Sequence, residues 1–360
     1  MQDKIGFSFI LTNSNAERYI GEAIKSVFNQ DYDGPMELIV VDDCSTDASR
    51  DVITETIQFF SHDFDVRFVK TSKNGGTAKA FDTGMAMAKY DWLVMLDGDD
   101  IQLPDRSAYT AELIRKYPDV LMITMAARKI GADGEEWGVN HPVFSGPLSE
   151  HPDVLYLDTS LQRFKNCLIE SDEKNKIIYF QGVIKRELYE LWGGLSVAEM
   201  CSVHFYQDLS WGMRAALSGP ILASSRAVTL YRFHGANQHA LTSTSADSSS
   251  DVVMATELLR EKIWPGLNRT YGSVVQSVQR AIDDSSLSDL NVAQLMLVLR
   301  QWKRLRQAYF MLDAWWSLNW WTRLYRVFKY GLFVRGVHLR MALIRLLPKW
   351  LFCHLKGKHN

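Results

Sequence analysis

Two apolar runs in this chain end abruptly in carboxylates. Leu38-Ile39-Val40-Val41 passes into Asp42-Asp43-Cys44-Ser45-Thr46-Asp47, and Trp92-Leu93-Val94-Met95-Leu96 passes into Asp97-Gly98-Asp99-Asp100. Apolar runs of this kind hold a strand in a core, so the acids emerge together at one rim of a sheet. Like charges gathered there repel, and a bound cation relieves them. Asp97 and Asp99 together offer oxygen to a hard divalent ion, Mg²⁺ or Mn²⁺, which in turn bridges a diphosphate. Gly98 between them keeps the backbone open to that approach. Taken singly, Asp42, Asp43 and Asp47 also suit the capping of a turn and of the next helix. A phosphohydrolase of the haloacid dehalogenase type also puts D-x-D after an apolar strand, but there a Thr or Val normally follows, where this chain has Asp100.

These residues need strands and helices to position them, and the first half of the chain alternates the two periodicities. Ile5 to Leu11, Met36 to Val41, Val66 to Val69, Trp92 to Leu96 and Val120 to Met125 read as strands. Asn15 reads as the N-cap of a helix carrying Ile20, Ala23, Ile24, Val27 and Phe28 on one face. Parallel strands covered by helices follow, with ligands expected beyond their carboxyl ends.

Further on, Thr242 to Ser250 is a run of small polar residues that cannot build a core and reads as a linker. Residues 1–240 then form the α/β unit, divided at about residue 105. Residues 251–312 form a helical annex, and 313–360 a basic aromatic tail. No strand signal or repeat appears after the linker.

The 360 residues are 47% hydrophobic and 23% charged, an ordinary globular composition that speaks against disorder. The net charge of -2 hides an asymmetry: from Arg300 onward there are 13 bases and one acid, net +12, against net -14 before it. Such a tail meets a polyanion or an anionic membrane. Trp315, Trp316, Trp320, Trp321, Tyr325 and Phe328 stand among Arg323, Arg326 and Lys329, and no window of about 20 residues there is free of charge. The tail therefore reads as lying on a membrane rather than spanning it, with a helical dimer interface as the other option. Large aliphatic groups among the bases disfavour nucleic acid. Four scattered cysteines without a C-x-x-C pair fit a reducing compartment, and Met1 to Gly6 carry no apolar signal core, so a cytoplasmic location on the inner membrane face is expected.

The motifs in order resemble the family 2 glycosyltransferases, inverting enzymes of the GT-A fold that use nucleotide-diphosphate sugars. The resemblance covers residues 4 to about 240. It rests on Asn15-Ala16-Glu17-Arg18-Tyr19, Ser26-Val27-Phe28-Asn29-Gln30, the turn Val41 to Asp47, and Asp97-Gly98-Asp99-Asp100. Trp192-Gly193-Gly194-Leu195, Gln207-Asp208 and Tyr231-Arg232-Phe233-His234 extend it.

This resemblance implies a mixed, mostly parallel sheet flanked by helices and followed by a helical region, with a nucleotide half to about residue 105 and an acceptor half after it. It implies that Thr12, Asn15, Glu17, Asp42, Asp43, Asn74, Lys79, Asp97 and Gly98 hold the nucleotide sugar. Asp97, Asp99 and His234 would hold Mn²⁺ or Mg²⁺. Gly193, Gly194, Gln207 and Arg232 would lie on the acceptor or diphosphate side, and Asp208 would be the catalytic base.

The chain also departs from the family pattern. The family's Ala-Arg-Asn after the glycine loop is Ala80-Phe81-Asp82 here, leaving Lys79 or Lys73 to supply positive charge. The usual Glu-Asp pair is Gln207-Asp208. The expected reaction is single displacement from a UDP-sugar onto a hydroxyl of a glycan or lipid-linked acceptor. The alternative is a catalytically weak nucleotide-sugar-binding protein at a membrane.

Overall fold

The computed structural model describes residues 4–60, 64–141, 153–158, 182–192, 194, 215 and 218–234. The linker, the annex, the tail, Gly193, Gln207 and Asp208 lie outside the described residues. The described chain begins with strand β1 (Phe7–Asn13), helix α1 (Ile20–Phe28), β2 (Met36–Asp42), α2 (Ser49–Phe60), β3 (Asp65–Lys70), α3 (Thr77–Met87) and β4 (Trp92–Asp97). It continues through β5 (Ile101–Gln102), α4 (Arg106–Lys116), β6 (Met122–Ile130), β7 (Glu136–His141), β8 (Val154–Leu157) and β9 (Val183–Lys185). A short helix α5 (Arg186–Trp192) and the long strand β10 (Ile221–Arg232) complete it. Each of the five strands read from the sequence is present, as β1, β2, β3, β4 and β6.

The strands form one mixed sheet in the order β3-β2-β1-β4-β9-β6-β10-β5, with β7 beside β6 and β8 beside β10. β1 is parallel to β2 and β4, β2 to β3, and β6 to β10. β9 lies antiparallel between β4 and β6, so β6 and β10 run the same way as β4. The carboxyl ends of β1, β2, β3, β4, β6 and β10 therefore share one rim. Register makes this concrete: Asn13 stands opposite Asp42, Asp42 opposite Lys70, and Thr12 opposite Asp97.

Burial explains why the central strands are continuous apolar runs. Phe7, Phe9, Leu11, Leu38, Val40 and Leu96 are wholly buried, because helices cover the sheet. On α1, Ile20, Ala23, Ile24 and Val27 are buried at helical spacing. Full burial of each large apolar side chain contributes about 1.5–3 kcal/mol, which holds the rim rigid beneath the polar turns.

One expectation about a helix start changes. α1 begins at Ile20 with Tyr19 at the cap position and no side-chain capping bond. Asn15 instead takes a left-handed φ of 53°. Residues 16–20 first make a turn, Ala16 O accepting from Tyr19 N–H and Ile20 N–H, and the Asn15 amide is used elsewhere.

β10 also bends. Its register against β6 shifts twice between Ser224 and Thr229, and Ser224 Oγ accepts from Arg226 N–H. A bulge of this kind re-aims a strand. Past it β10 pairs with β5, directly after the Asp97 to Asp100 turn.

Candidate active site

The rim is built first by two loops that fasten each other. Asn13 Nδ2–H donates to Asp42 Oδ1 (2.8 Å) and Ser45 Oγ (3.0 Å). Asn15 Oδ1 accepts from Thr46 N–H (2.8 Å), and Asn15 N–H donates to Ser45 Oγ (2.9 Å). Glu17 Oε2 accepts from Ala48 N–H (2.7 Å), while Glu17 N–H donates to Asp47 Oδ2 (3.0 Å). These bonds satisfy donors near the start of α2, where anionic groups are favourable. Asn15 and Glu17 thus brace the Asp42 to Asp47 turn, with both residues exposed at the rim.

The adjacent acids face different ways. Asp42 is wholly buried and accepts from Arg50 Nε–H at 2.7 Å as well as from Asn13. Burial opposes its ionisation, but hydrogen bonds from Ser45, Arg50 and Asn13 outweigh that and hold its carboxyl below the usual value. Asp43, 2% exposed, accepts from Gly75 N–H (2.9 Å), Gly76 N–H (2.7 Å) and Thr71 Oγ1–H (2.9 Å). It thereby fastens the glycine loop that opens α3. Asn74 Nδ2–H donates to the Asp43 carbonyl (3.2 Å), and exposed Lys79 leans over Gly75 on the first turn of α3.

Asp42 gives a pH prediction. A depressed folded pKa makes the stabilisation fully present above the unfolded value of about 3.9, and it is lost as pH falls through the lower folded value. Urea unfolding of the native protein and Asp42→Asn should therefore differ most at neutral pH and converge below about pH 4. A gap that stays constant from pH 7 to 3 would contradict this role.

The second turn is anchored from beneath. A Cβ built on Gly98 would lie 2.9 Å from the Thr12 carbonyl and 3.3 Å from Asn13 Oδ1, so only glycine lets the turn lie on β1. Thr12 Oγ1 is 3.5 Å from Asp97 Oδ1. Asp100 is wholly buried and accepts from Arg232 N–H at 2.8 Å. Below it lies Arg106, 2% exposed, which donates to Thr229 Oγ1 at 2.6 Å. Burial pulls the Arg106 guanidinium down to about 9, with the Asp100 charge opposing that shift, so it stays charged at neutral pH.

Asp97 and Asp99 are half-buried and remain toward the rim. Asp99 Oδ2 lies 2.9 Å from His234 Nε2, and the His234 ring packs on Tyr19 with centroids 4.9 Å apart. Arg232 is turned inward, 2% exposed. It donates through Nε to the Asp99 carbonyl (2.9 Å), through one terminal nitrogen to the Ala132 carbonyl (3.2 Å), and through the other to Glu22 Oε2 (2.6 Å). Its guanidinium also lies 4.8 Å from the centre of the Tyr19 ring. In this arrangement Arg232 fixes the acidic turn, rather than reaching out toward an acceptor or diphosphate.

Whether these groups suit a divalent ion is decided by their donor chemistry. Among the described residues no group of three or more His, Cys, Asp and Glu side chains gathers as a cation cage. Asp97, Asp99 and His234 thus do not form the three-ligand group expected from the sequence. Mg²⁺ and Mn²⁺ held on a diphosphate need only one or two protein carboxylates, the rest of the shell coming from phosphate and water. The Asp99–His234 pair beside Asp97 fits that requirement.

The sequence reading missed Tyr19, Glu22 and Arg106 as parts of this turn, and Asp82. Phe81, at the position of the family's arginine, is 3% exposed in the core, so no cation comes from there. Asp82 is 7% exposed and touches Gly194, whose φ is 93°: a Cβ on that glycine would lie 2.6 Å from Asp82 Oδ1. Gly194 therefore docks on α3 from the acceptor half.

Residues 8–174 match the family described as Glycosyl transferase family 2. The chain is 27% identical over 245 residues to an uncharacterized glycosyltransferase, alr2836, of Nostoc sp., covering 68% of this chain and 69% of that protein. It is 26% identical over 189 residues to the poly(ribitol-phosphate) beta-N-acetylglucosaminyltransferase TarS of Staphylococcus aureus, covering 50% of this chain but 30% of TarS. The crystal structure of S. aureus TarS 1-349 in complex with UDP-GlcNAc has a similar fold, with a TM-score of 0.52 at 17% identity, covering 97% of this chain and 81% of that one. The chain is a glycosyltransferase with the GT-A fold.

Proposed function

We propose that the chain is an inverting enzyme that moves a hexosyl or N-acetylhexosaminyl group from a nucleotide-diphosphate sugar, with UDP-sugars first, to a hydroxyl of a glycan or lipid-linked acceptor. The observation that carries this reading is the Asp97 to Asp100 turn, fixed at the same rim as the Asn13–Asp42 turn. The TarS complex with UDP-GlcNAc supports the choice of donor.

In this reading the Asp42 to Asp47 turn receives the nucleoside, and Lys79 brings a positive charge toward the diphosphate. Asp97 and Asp99 would hold Mg²⁺ or Mn²⁺ on the diphosphate, with His234 beside them on Asp99. Such an ion, when bound, neutralises charge on the leaving diphosphate. Arg232 and Asp100 keep the Asp99 carboxylate in place while charge develops. Asp208 takes the acceptor hydroxyl proton. Attack from the face opposite the nucleotide inverts the anomeric carbon in one step.

The experiment is turnover of a panel of nucleotide sugars by the full chain, with Mg²⁺ or Mn²⁺ and again with EDTA. Release of nucleoside diphosphate from one donor, lost on chelation, is expected. Binding of nucleotide with no release from any donor, even slowly, would favour the non-catalytic alternative.

We also propose that the tail lies on the cytoplasmic face of an anionic membrane and brings the rim to a lipid-linked acceptor. It lies outside the described residues, and among those that are described no helix is long and apolar enough to cross a membrane. The net charge of +12 from Arg300 onward, most of it in residues 313–360, carries the reading, since each base near an anionic leaflet contributes about 1 kcal/mol. Deleting residues from Trp315 onward should abolish sedimentation with anionic liposomes at low salt and leave nucleotide binding intact. Full-length chain that does not sediment would favour an oligomer interface instead.

A further inference from the structure

On the acceptor side of the acidic turn the rim carries an aromatic surface that the donor reading does not use. Trp137 on β7 is 48% exposed and packs on Phe233, with ring centroids 5.3 Å apart. Phe233 directly precedes His234 and is fixed by its N–H donating to the Ile130 carbonyl at 2.8 Å. The aromatic surface is thus one residue from the group that meets Asp99. It lies at the carboxyl ends of β6 and β10, across β4 from the Asp42 turn.

The charge around it is balanced. Arg128 pairs with Glu136 at 3.1 Å, Arg18 pairs with Asp133 in the β6–β7 turn, and Lys129 Nζ stands 5.1 Å from the centre of the Phe233 ring. A near-neutral aromatic face edged by polar groups suits a ring with an apolar C–H face and hydroxyls at its edge. It does not suit a polyanion, which would meet Asp133 and Glu136, nor a lipid tail, which would leave those polar edges buried without partners.

We propose that Trp137 and Phe233 form a stacking subsite for an uncharged pyranose of the acceptor glycan. This rests on the glycosyl-transfer reading, and deepens it by naming the chemistry of the acceptor unit next to the reacting centre. An exposed indole on a rigid strand gives up little entropy on binding, and large aromatic side chains are where recognition energy concentrates.

The probes are four neutral tetrasaccharides, from chitin, cellulose, amylose and a β-mannan, with a glycerol-phosphate polymer as the charged comparator. Binding to the full chain, with UDP and Mg²⁺ present, is followed by saturation-transfer NMR and titration. At least one tetrasaccharide should bind. Trp137→Ala should weaken it about tenfold, as loss of one central aromatic contact does. Trp137→Phe, which keeps an aromatic face, should stay within about twofold. UDP affinity should be the same in all three proteins. UDP binding without binding of any tetrasaccharide, equal sugar binding by Trp137→Ala, or binding of the charged polymer alone would each overturn the subsite. If the native chain bound no UDP, the donor reading itself would fall, and the subsite with it.

Discussion

Asp99→Ala should lower turnover by about 10²–10³-fold, the usual cost of removing one group that stabilises developing charge. It should also erase the metal-dependent part of UDP affinity. The side chain and backbone of Asp99 do different things. Its carboxylate stands at the rim, 2.9 Å from His234 Nε2, while its carbonyl accepts from Arg232 Nε–H at 2.9 Å. Alanine removes the carboxylate and leaves the carbonyl. The neighbouring anchor, Asp100 to Arg232 N–H, is also untouched. The variant should therefore keep the native thermal transition. Calorimetry with UDP, with Mg²⁺ and with EDTA, checks this. Equal affinities for native and variant protein in Mg²⁺ would remove Asp99 from the donor site.

Asp208→Asn should lower turnover by about 10²-fold or more, since asparagine keeps the size of the side chain but cannot accept the acceptor proton. Donor affinity should be retained, because the proposed nucleotide site lies on the Asp42 and Asp97 turns instead. Single-turnover kinetics at saturating donor separates the two effects. Asp100, the remaining carboxylate of the acidic turn, is wholly buried and already accepts from Arg232 N–H. It cannot replace Asp208 without unfastening the acidic turn. Near-normal turnover by Asp208→Asn would move the base to another residue of the acceptor half.

The first part of the sheet was legible because its central strands, β1, β2 and β4, are buried on both faces. Continuous runs such as Phe7 to Leu11 and Leu38 to Val41 have no other place to go than a covered sheet, and the acids that follow them must emerge at its rim. β10 was not legible. Its sequence, ILASSRAVTLYR, is broken by Ser and Arg and accommodated by a bulge, and its burial comes from pairing with β6, β8 and β5.

The site divides in the same way. Asp97, Gly98 and Asp99 could be read from type and spacing alone. The clamp formed by Asp100, Arg232 and Glu22 could not, because Arg232 and Glu22 are 210 residues apart and meet only after β10 has crossed the sheet. Asn15 shows the same limit on a smaller scale. Its residue type is right for a helix cap, but Thr46 N–H, 31 residues away, takes its side-chain oxygen. A local rule gives way where a distant loop offers the better hydrogen bond.

The shared carboxyl rim is proposed to hold a nucleoside diphosphate through the acidic turn. Crystals of the full chain grown with UDP and Mn²⁺, with data collected at the manganese edge, test it most directly. The prediction is one anomalous peak beside Asp99 Oδ and in contact with the diphosphate, with the nucleoside over the Asp42 to Asp47 turn. A diphosphate bound away from Asp97 and Asp99, or manganese at the rim without the nucleotide, would contradict it.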